Sequence, residues 1–255
     1  MRFASLGSGS KGNALLVESG RTRVLIDCGF GPRELATRLA RLGLAPDDLD
    51  AILVTHEHGD HVGGVTRAAG RFSLSVHMSH GTHAAAGLAG KLEASLFDSH
   101  STFALGDLQV HPFPVPHDAR EPTQFVIGDG QWRLGVLTDA GCITPHMVEM
   151  LNGCDSLVLE CNHDLHMLEN GSYPLSLKRR VGGRLGHLDN AVAADLLGRI
   201  DRRRLQHVVA AHLSEQNNTS ELARTALAGA MGCSQEWIGV AGQVEGFGWR
   251  EIRTS

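Results

Sequence analysis

The segment "THEHGDH", residues 55–61, places four potential metal ligands within six residues: His56, His58, Asp60 and His61. It follows "AILV", residues 51–54, an apolar run typical of a buried strand. On a helix, His56 and His58 would point about 200° apart, so the spacing favours a strand that runs into a loop. Such polar groups are costly to bury without a partner. The segment therefore predicts a metal site at the end of a strand.

Three more candidate ligands lie where other apolar runs end. His117 occurs in "VPHD" (115–118), Asp139 in "LTDAG" (137–141) and His212 in "AAHLSEQN" (210–217). With the first four they make seven nitrogen and oxygen ligands, about the number that two zinc-like ions bridged by one carboxylate and one water need. The set contains no thiolate, so zinc, manganese and iron suit it alike.

Composition limits the class of protein. The chain has 255 residues, 42% of them apolar and 20% charged, which predicts one domain over residues 1–255. A net charge of −5 indicates no global basic field, although a local basic cleft is compatible with it. The sequence begins without the apolar core of a signal peptide, and no apolar run approaches 18 residues. The five cysteines are scattered without a C-x-x-C pair. We therefore expect a cytoplasmic protein with no membrane partner, and a homodimer is one expectation for its oligomeric state.

Two halves of the chain follow the same order of elements. "RVLIDCG" (23–29) and "RLGVLTDAG" (133–141) each end a predicted strand at an aspartate. A predicted helix follows in both halves, and then a strand that ends in polar residues, "AILVTHEHGD" (51–60) and "SLVLECNHD" (156–164). Two such halves predict an α/β fold in which two sheets pack face to face with helices outside, a four-layer αββα sandwich.

The N-terminal loop "GSGSKG", residues 7–12, has the G-x-G-x-x-G spacing of a dinucleotide-binding turn. That fingerprint needs a helix after the loop, whereas "NALLVESGRTRVLID" (13–27) predicts a strand, a turn and another strand. We therefore expect a glycine-rich turn and no nucleotide cofactor. A sharper hypothesis is that this loop lines the metal cleft and approaches a substrate phosphate. The residues that would do so are Ser8, Ser10, Lys11 and Asn13.

A further histidine and a basic run lie in the second half. His187, in "LGHLDN" (185–190), precedes a predicted helix whose N-cap is Asp189 or Asn190. It either packs at that helix start, or donates a proton to a leaving oxygen or binds a phosphoryl oxygen. The densest basic run of the chain consists of Lys178, Arg179, Arg180 and Arg184. It is either a solvated helix face or a phosphate contact, for which arginine forks are well suited.

The motif "HEHGDH" resembles the H-x-H-x-D-H motif of the metallo-β-lactamase superfold, and the resemblance extends in order along nearly the whole chain. It implies the αββα sandwich and a binuclear metal site. One metal would be held by His56, His58 and His117. The second would be held by Asp60, His61 and His212, with Asp139 as the bridging ligand. Asp27 matches an early strand-end aspartate that would orient the ligand loop.

Four other stretches resemble one branch of that superfold, the YycJ/WalJ-type proteins. They are "SLGSGSKGNA" (5–14), "ECNHD" (160–164), "YPLSLKRRVGGRLGHLDN" (173–190) and "HLSEQNN" (212–218). This branch is bacterial and cytoplasmic and is linked with 5′→3′ DNA exonuclease activity. The resemblance implies two divalent ions, Zn²⁺ or Mn²⁺, and a DNA substrate. RNase Z-like nucleases of the superfold carry a catalytic histidine at a place similar to that of His187.

The leading hypothesis is therefore hydrolysis of phosphodiesters by a metal-dependent 5′→3′ DNA exonuclease, with His187, Asp60 and Asp139 as catalytic residues. Arg179 and Arg180 would bind substrate, and His163 would lie near the site without being a ligand. Phosphoribosyl cyclic phosphodiesterases share the metal motifs, so a small cyclic phosphodiester is the first alternative. Hydrolysis of a lactone, thioester or β-lactam is the next. A nucleic-acid-binding protein with degenerate metal sites is disfavoured because all seven ligand positions hold competent residues.

Overall fold

The computed structural model describes residues 1–88 and 90–254, and its framework is two seven-stranded sheets. The first sheet consists, in spatial order, of β14 (Phe247–Glu251), β1 (Arg2–Gly7), β2 (Ala14–Ser19), β3 (Thr22–Ile26), β4 (Ala51–Leu53), β5 (Ser75–Ser79) and β6 (Ser95–Phe97). The second consists of β13 (Gly239–Val240), β12 (His207–Ala211), β11 (Ser156–Glu160), β10 (Arg133–Leu137), β9 (Thr123–Gly128), β8 (Leu108–Pro114) and β7 (Phe103–Leu105).

Both sheets change from antiparallel to parallel pairing at one strand. In the first sheet, β14, β1, β2 and β3 pair antiparallel, and β3, β4, β5 and β6 pair parallel. In the second, β7, β8, β9 and β10 pair antiparallel, and β10, β11, β12 and β13 pair parallel. The repeated halves predicted from the sequence are therefore confirmed. The two strands at which the pairing changes, β3 and β10, lead directly into Asp27 and the segment containing Asp139.

Helices connect the strands. Those of the first half are α1 (Pro32–Ala40), α2 (Gly59–Val62), α3 (Val65–Phe72) and α4 (His80–Ala85). Those of the second half are α5 (Pro145–Leu151), α6 (Leu165–Asn170), α7 (Leu175–Val181), α8 (Asn190–Arg199) and α9 (Ser220–Met231). Helix α8 begins as predicted after Asp189, whose carboxylate accepts the N–H groups of Ala191 and Val192. None of the helices described is long and apolar enough to cross a membrane.

Three layers of apolar side chains hold the sheets and helices together. Neighbouring residues of β2 point to opposite faces: Val17 packs between the two sheets, and Leu16 packs under the helices of the first half. Leu35 of α1 joins Leu16 in that layer, and Leu196 of α8 packs with others under the second sheet. Apolar burial of this kind is the main driving force of folding. The predicted four-layer α/β sandwich is confirmed.

The glycine-rich N-terminal loop joins two antiparallel strands. β1 ends at Gly7, β2 begins at Ala14, and the two pair directly. The loop therefore has a strand on each side and lacks the helix that would bind a pyrophosphate. This arrangement is the strand–turn–strand predicted from the sequence.

A close backbone contact fixes the loop before α3, and it generates a stability prediction. A methyl group on Gly64 would meet the carbonyl oxygen of Phe30 at 1.8 Å, whereas one on Gly70, inside α3, would meet nothing within 4 Å. We expect Gly64→Ala to lower the free energy of unfolding by at least about 2 kcal/mol through overpacking. Gly70→Ala is the matched control and should raise it by up to about 1 kcal/mol. Urea denaturation measures the free energy of unfolding of both variants. Equal values for the two would show that a methyl group at residue 64 does not clash with Phe30.

Candidate active site

The carboxyl ends of the parallel strands carry the predicted site. Asp27 follows β3, His56 and His58 follow β4, and His212 follows β12. Asp27, Asp139 and His212 have φ angles of 63°, 55° and 55°. Few non-glycine residues adopt positive φ, and each such residue costs on the order of 1 kcal/mol. The surrounding structure therefore holds these three residues in a strained backbone conformation at the site.

The first group of candidate ligands is His56, His58 and His117, whose ring nitrogens lie within 4.8 Å of one another. The Nε2 atom of His117 is 3.2 Å from Nδ1 of His58. Its Nδ1 lies 2.9 Å from the carbonyl oxygen of Gly186 and donates to it, which leaves Nε2 for a metal. Burial lowers the pKa of His56 and that of His117. Both rings are therefore kept neutral, the form in which histidine binds a metal.

The second group is Asp60, His61 and His212, again with ligand atoms within 4.8 Å. Oδ2 of Asp60 lies 3.3 Å from Nε2 of His61 and 3.4 Å from Nε2 of His212. Asp139 Oδ2 lies 3.0 Å from Nε2 of His61. Asp139 also forms a group with His61 and with His56, which belongs to the first set. It thus lies between the two groups, where a bridging ligand was predicted.

Two unsatisfied atoms show that the cluster fits a metal ion. Nε2 of His56 and Oδ2 of Asp139 are buried, and neither forms a hydrogen bond of normal geometry among residues 1–88 and 90–254; the 3.0 Å approach of Oδ2 to His61 is an ion-pair contact. A buried polar atom without a partner costs free energy, which a bound cation would recover. The donors are imidazole nitrogens and carboxylate oxygens, which zinc and manganese accept. The site therefore fits a divalent metal ion.

The charges of the cluster favour a cation. Burial opposes ionisation of Asp139, but His212 and His61 outweigh it and hold its pKa well below the usual value. Burial likewise opposes ionisation of Asp60, and the same two histidines lower its pKa. Burial lowers the pKa of His61, but three surrounding carboxylates, Asp139 foremost, raise it well above the ordinary value. For His212, burial again lowers the pKa, but Asp139, Asp60 and Glu160 together outweigh it and raise the pKa to about 10. The carboxylates thus attract positive charge, either as protons or as metal ions.

Three of the predicted residues form hydrogen bonds with the candidate ligands. Asp27 accepts the Nδ1–H of His61 at 2.8 Å and the N–H of Thr55 at 2.8 Å, so it orients the ligand loop. Ser8, predicted to contact substrate, accepts the N–H of His212 at 2.9 Å through its hydroxyl. Asn13, also predicted to contact substrate, donates to Oδ2 of Asp60 at 3.1 Å. These contacts indicate that Ser8 and Asn13 help to position His212 and Asp60.

The predicted basic contacts occupy different places. Lys11 forms an exposed ion pair of 2.6 Å with Glu215. Arg180 lines the cleft above the cluster and pairs with Asp118 at 2.7 Å. Arg179 is exposed and is not among the residues that line this cleft. Direct contact of Lys11, Arg179 and Arg180 with a substrate stays a prediction.

His187 is paired with a buried glutamate that the sequence analysis missed. Glu160 is fully buried at the end of β11 and accepts the Nδ1–H of His187 at 2.8 Å. Burial opposes ionisation of Glu160, but His187 outweighs it and holds the pKa at about 2. Burial lowers the pKa of His187, but Glu160 outweighs it in turn and raises the pKa. The signal for Glu160 was the single acid that ends the apolar run "SLVLE", residues 156–160.

Glu160 supports two histidines at once. Asp139, Glu160, His187 and His212 form a further group close enough to hold a metal. Here, however, Nδ1 of His187 and Nδ1 of His212 approach the same Glu160 oxygen, at 2.8 Å and 3.3 Å. A carboxylate that accepts the second N–H of a ligating histidine fixes its ring and tautomer. We therefore interpret this group as hydrogen-bonded support for the two rings.

His163 lies beside this support and belongs to none of the described groups of candidate ligands. Its Nδ1 is 3.3 Å from Oδ1 of Asn162, and its carbonyl accepts the N–H of Asn190 at the start of α8. Burial lowers its pKa. Its proposed part beside the site, outside the ligand set, stays a prediction.

The chain is similar to known proteins over most of its length. Residues 22–212 match the family described as the beta-lactamase superfamily domain. The chain is 32% identical over 245 residues to exodeoxyribonuclease WalJ of Streptococcus pneumoniae serotype 2, covering 94% of this chain and 91% of that protein. It is 34% identical over 228 residues to exodeoxyribonuclease YycJ of Bacillus anthracis, covering 88% and 86%. The metallo-β-lactamase fold protein YhfI of Bacillus subtilis shares the fold, with a TM-score of 0.74, 16% identity and coverage of 98% and 99%.

We expect zinc binding to depend steeply on pH. Because the pKa of His212 is raised to about 10 from 6.5, metal-free protein holds a proton on this ring between about pH 6 and 9, which zinc must displace. The affinity should rise about tenfold per pH unit for each proton released. Titration calorimetry in two buffers of different ionisation enthalpy measures the zinc affinity and the number of protons released on binding. Zinc affinity independent of pH would contradict this account.

The same proton also affects the stability of protein from which metal has been removed with a chelator. Its contribution is fully present below pH 6.5 and is lost as pH rises through about 10, so the melting temperature should fall over that interval.

Proposed function

The chain belongs to the beta-lactamase superfamily, and we propose that it is a metal-dependent phosphodiesterase that degrades DNA from a 5′ end. The observation that carries the proposal is similarity to an exodeoxyribonuclease over 94% of the chain. The candidate ligands all fall inside the family match of residues 22–212, and four of them, His58, Asp60, Asp139 and His212, line one cleft. The β1–β14 pairing of the two ends of the chain supports one domain over residues 1–255. A cytoplasmic location and a homodimer stay predictions.

We assign two divalent ions, zinc or manganese, to the cluster. His56, His58 and His117 would hold one ion, and Asp60, His61 and His212 the other, with Asp139 between them. The convergence of each set within 4.8 Å supports this assignment. When bound, the ions would supply a hydroxide nucleophile near neutral pH and neutralise charge on the phosphate.

His187 is the proposed general acid. Its Nδ1–H is held by Glu160, and its ring lines the cleft with 20% of the side chain exposed, so Nε2 is the nitrogen available to a substrate. The raised pKa of His187 favours the protonated form of the ring. It can therefore give a proton to the leaving oxygen of the cleaved phosphodiester. Glu160 positions this ring, and the predicted catalytic part of Asp60 and Asp139 is to hold the ions.

Digestion of DNA labelled at the 3′ end tests the proposed function. Protein loaded with Mn²⁺ or Zn²⁺ should shorten a duplex stepwise from its 5′ end, which gives a ladder of labelled products. Bis-p-nitrophenyl phosphate serves as the control for an intact metal site. Cleavage of this ester without cleavage of DNA or RNA would reject the nuclease and favour the small cyclic phosphodiester. Hydrolysis of a lactone or thioester alone would favour the remaining alternative.

The part of His187 generates a separate prediction. His187→Ala should keep both metals and lose at least about a hundredfold in kcat, because general acid catalysis contributes roughly that much or more. Glu160→Gln removes the charge that raises the pKa of His187, so the alkaline fall of kcat should move to lower pH. His146→Ala is the control, because this side chain is 42% exposed and does not line the cleft. Metal content by mass spectrometry together with the pH profile measures these effects. Loss of metal from His187→Ala would show that this residue is a ligand.

A further inference from the structure

The cleft above the cluster has two chemically different walls. It has a volume of about 370 Å³, at the lower end of the range for small-ligand sites, which is about 300–1,000 Å³. One wall carries polar residues of the cluster, among them Asp60, His187 and His212. Tyr173, Leu177 and Val181 line the cleft as well. The proposed hydrolysis involves residues of the first wall. It assigns no function to the apolar side chains of the second wall.

The apolar wall is one face of α7 and the residue before its N-cap. Leu177 and Val181 are four residues apart in α7 and so lie on the same face of the helix, and Tyr173, two residues before the helix begins, lines the same cleft. None of the residues of α7 is fully buried, and Leu177 and Val181 face the cleft. Tyr173 is the one tyrosine of the chain. An apolar face that contributes no buried side chain to the core is suited to a ligand.

Hydrogen bonds connect this wall to the proposed general acid and to the neighbouring loops. The carbonyl of Val181 accepts the N–H of His187 at 2.8 Å. Arg180 pairs with Asp118 at 2.7 Å, and Lys178 donates to the carbonyl of Glu169 at 2.8 Å. Any group bound against the wall would therefore lie beside the phosphodiester that His187 protonates.

The size and chemistry of the cleft identify the group. Its volume of about 370 Å³ is that of a site for one small ligand, the size class to which a single nucleotide belongs. Hydroxyl groups of Ser10 and Ser214 line the cleft together with the apolar wall, so a flat apolar group with a polar edge suits it. Aromatic side chains stack on every base because every base has a π-face, and such stacking tolerates any sequence.

We propose that Tyr173, Leu177 and Val181 form a nucleobase subsite that holds the unpaired base of the 5′-terminal nucleotide, with Tyr173 stacked on it. This inference rests on the proposed function. It names the substrate of that site more closely: a DNA end whose terminal base is unpaired, with little preference among the four bases. A paired terminal base would have to leave its stack before cleavage.

Two matched oligonucleotides test the subsite. Both are single strands labelled at the 3′ end; one has a 5′-terminal thymidine, and the other has a tetrahydrofuran residue that lacks the base. Wild-type protein should cleave the first with a kcat/KM about tenfold to a hundredfold higher, the range that stacking of one base supplies. Tyr173→Ala should bring this ratio to about one through loss on the thymidine substrate, and Tyr173→Phe should keep it. Leu175→Ala is the control, since this exposed leucine of α7 does not line the cleft.

The outcomes separate the two proposals. If wild-type protein cleaves both oligonucleotides equally well, the subsite is overturned while the nuclease stands, and this result needs no variant. If Tyr173→Ala keeps the wild-type ratio, or Tyr173→Phe loses it, stacking on this ring is overturned. If wild-type protein shortens the duplex but cleaves neither single strand, the subsite for an unpaired base is overturned while the nuclease stands. If protein with intact activity on bis-p-nitrophenyl phosphate cleaves neither the duplex nor the single strands, the proposed function fails and the subsite fails with it.

Discussion

Three buried carboxylates, Asp27, Asp139 and Glu160, are the constraint on which the active end of the sandwich depends. Each is at most 3% exposed, and an ionised carboxylate at such a position is costly unless charged or hydrogen-bonding partners surround it. The partners come from other segments: His61 of α2, the short helix after β4, for Asp27, and His187 of the loop before α8 for Glu160. The ends of the strands are thus held together by charges that none of them could bury alone.

The two halves of the fold use equivalent positions differently. Asp27 follows β3 and Asp139 follows β10, the strands at which pairing changes from antiparallel to parallel, and both have positive φ. Asp27 binds Nδ1 of His61, a residue of its own half, and orients that ring. Asp139 approaches Nε2 of the same ring from the other half. One imidazole is therefore held between two aspartates, and a nearly symmetric fold produces an asymmetric site.

Features that depend on the spacing of residues close together in the chain could be predicted from the sequence. The motif at residues 55–61 indicates its ligands because they lie within one short segment, and the repeated order of elements predicts the sandwich. The segment was expected to be a loop throughout, but its second part forms the helix α2. Glu160 could not be predicted in this way, since its partner His187 is 27 residues away and reaches it through the fold. The direction of Asn13 also depends on structure. Its amide turns inward to Asp60 in a loop where Gly9 and Gly12 have φ angles of 136° and 147°, and nothing in the residue types indicates that direction.

Recognition and chemistry rest on parts of the molecule with different local stability. The proposed metal cluster lies at the ends of strands packed in the core, whereas α7 has no fully buried residue and is held by a few polar contacts. Elements with little apolar burial open at lower free energy than core strands. We therefore expect the wall to adjust to different bases while the cluster stays fixed. Because Val181 bonds to the backbone of His187, that adjustment acts on the proposed general acid, and a small displacement there has a large effect on rate. A base that packs well against the apolar wall therefore also positions the imidazole of His187.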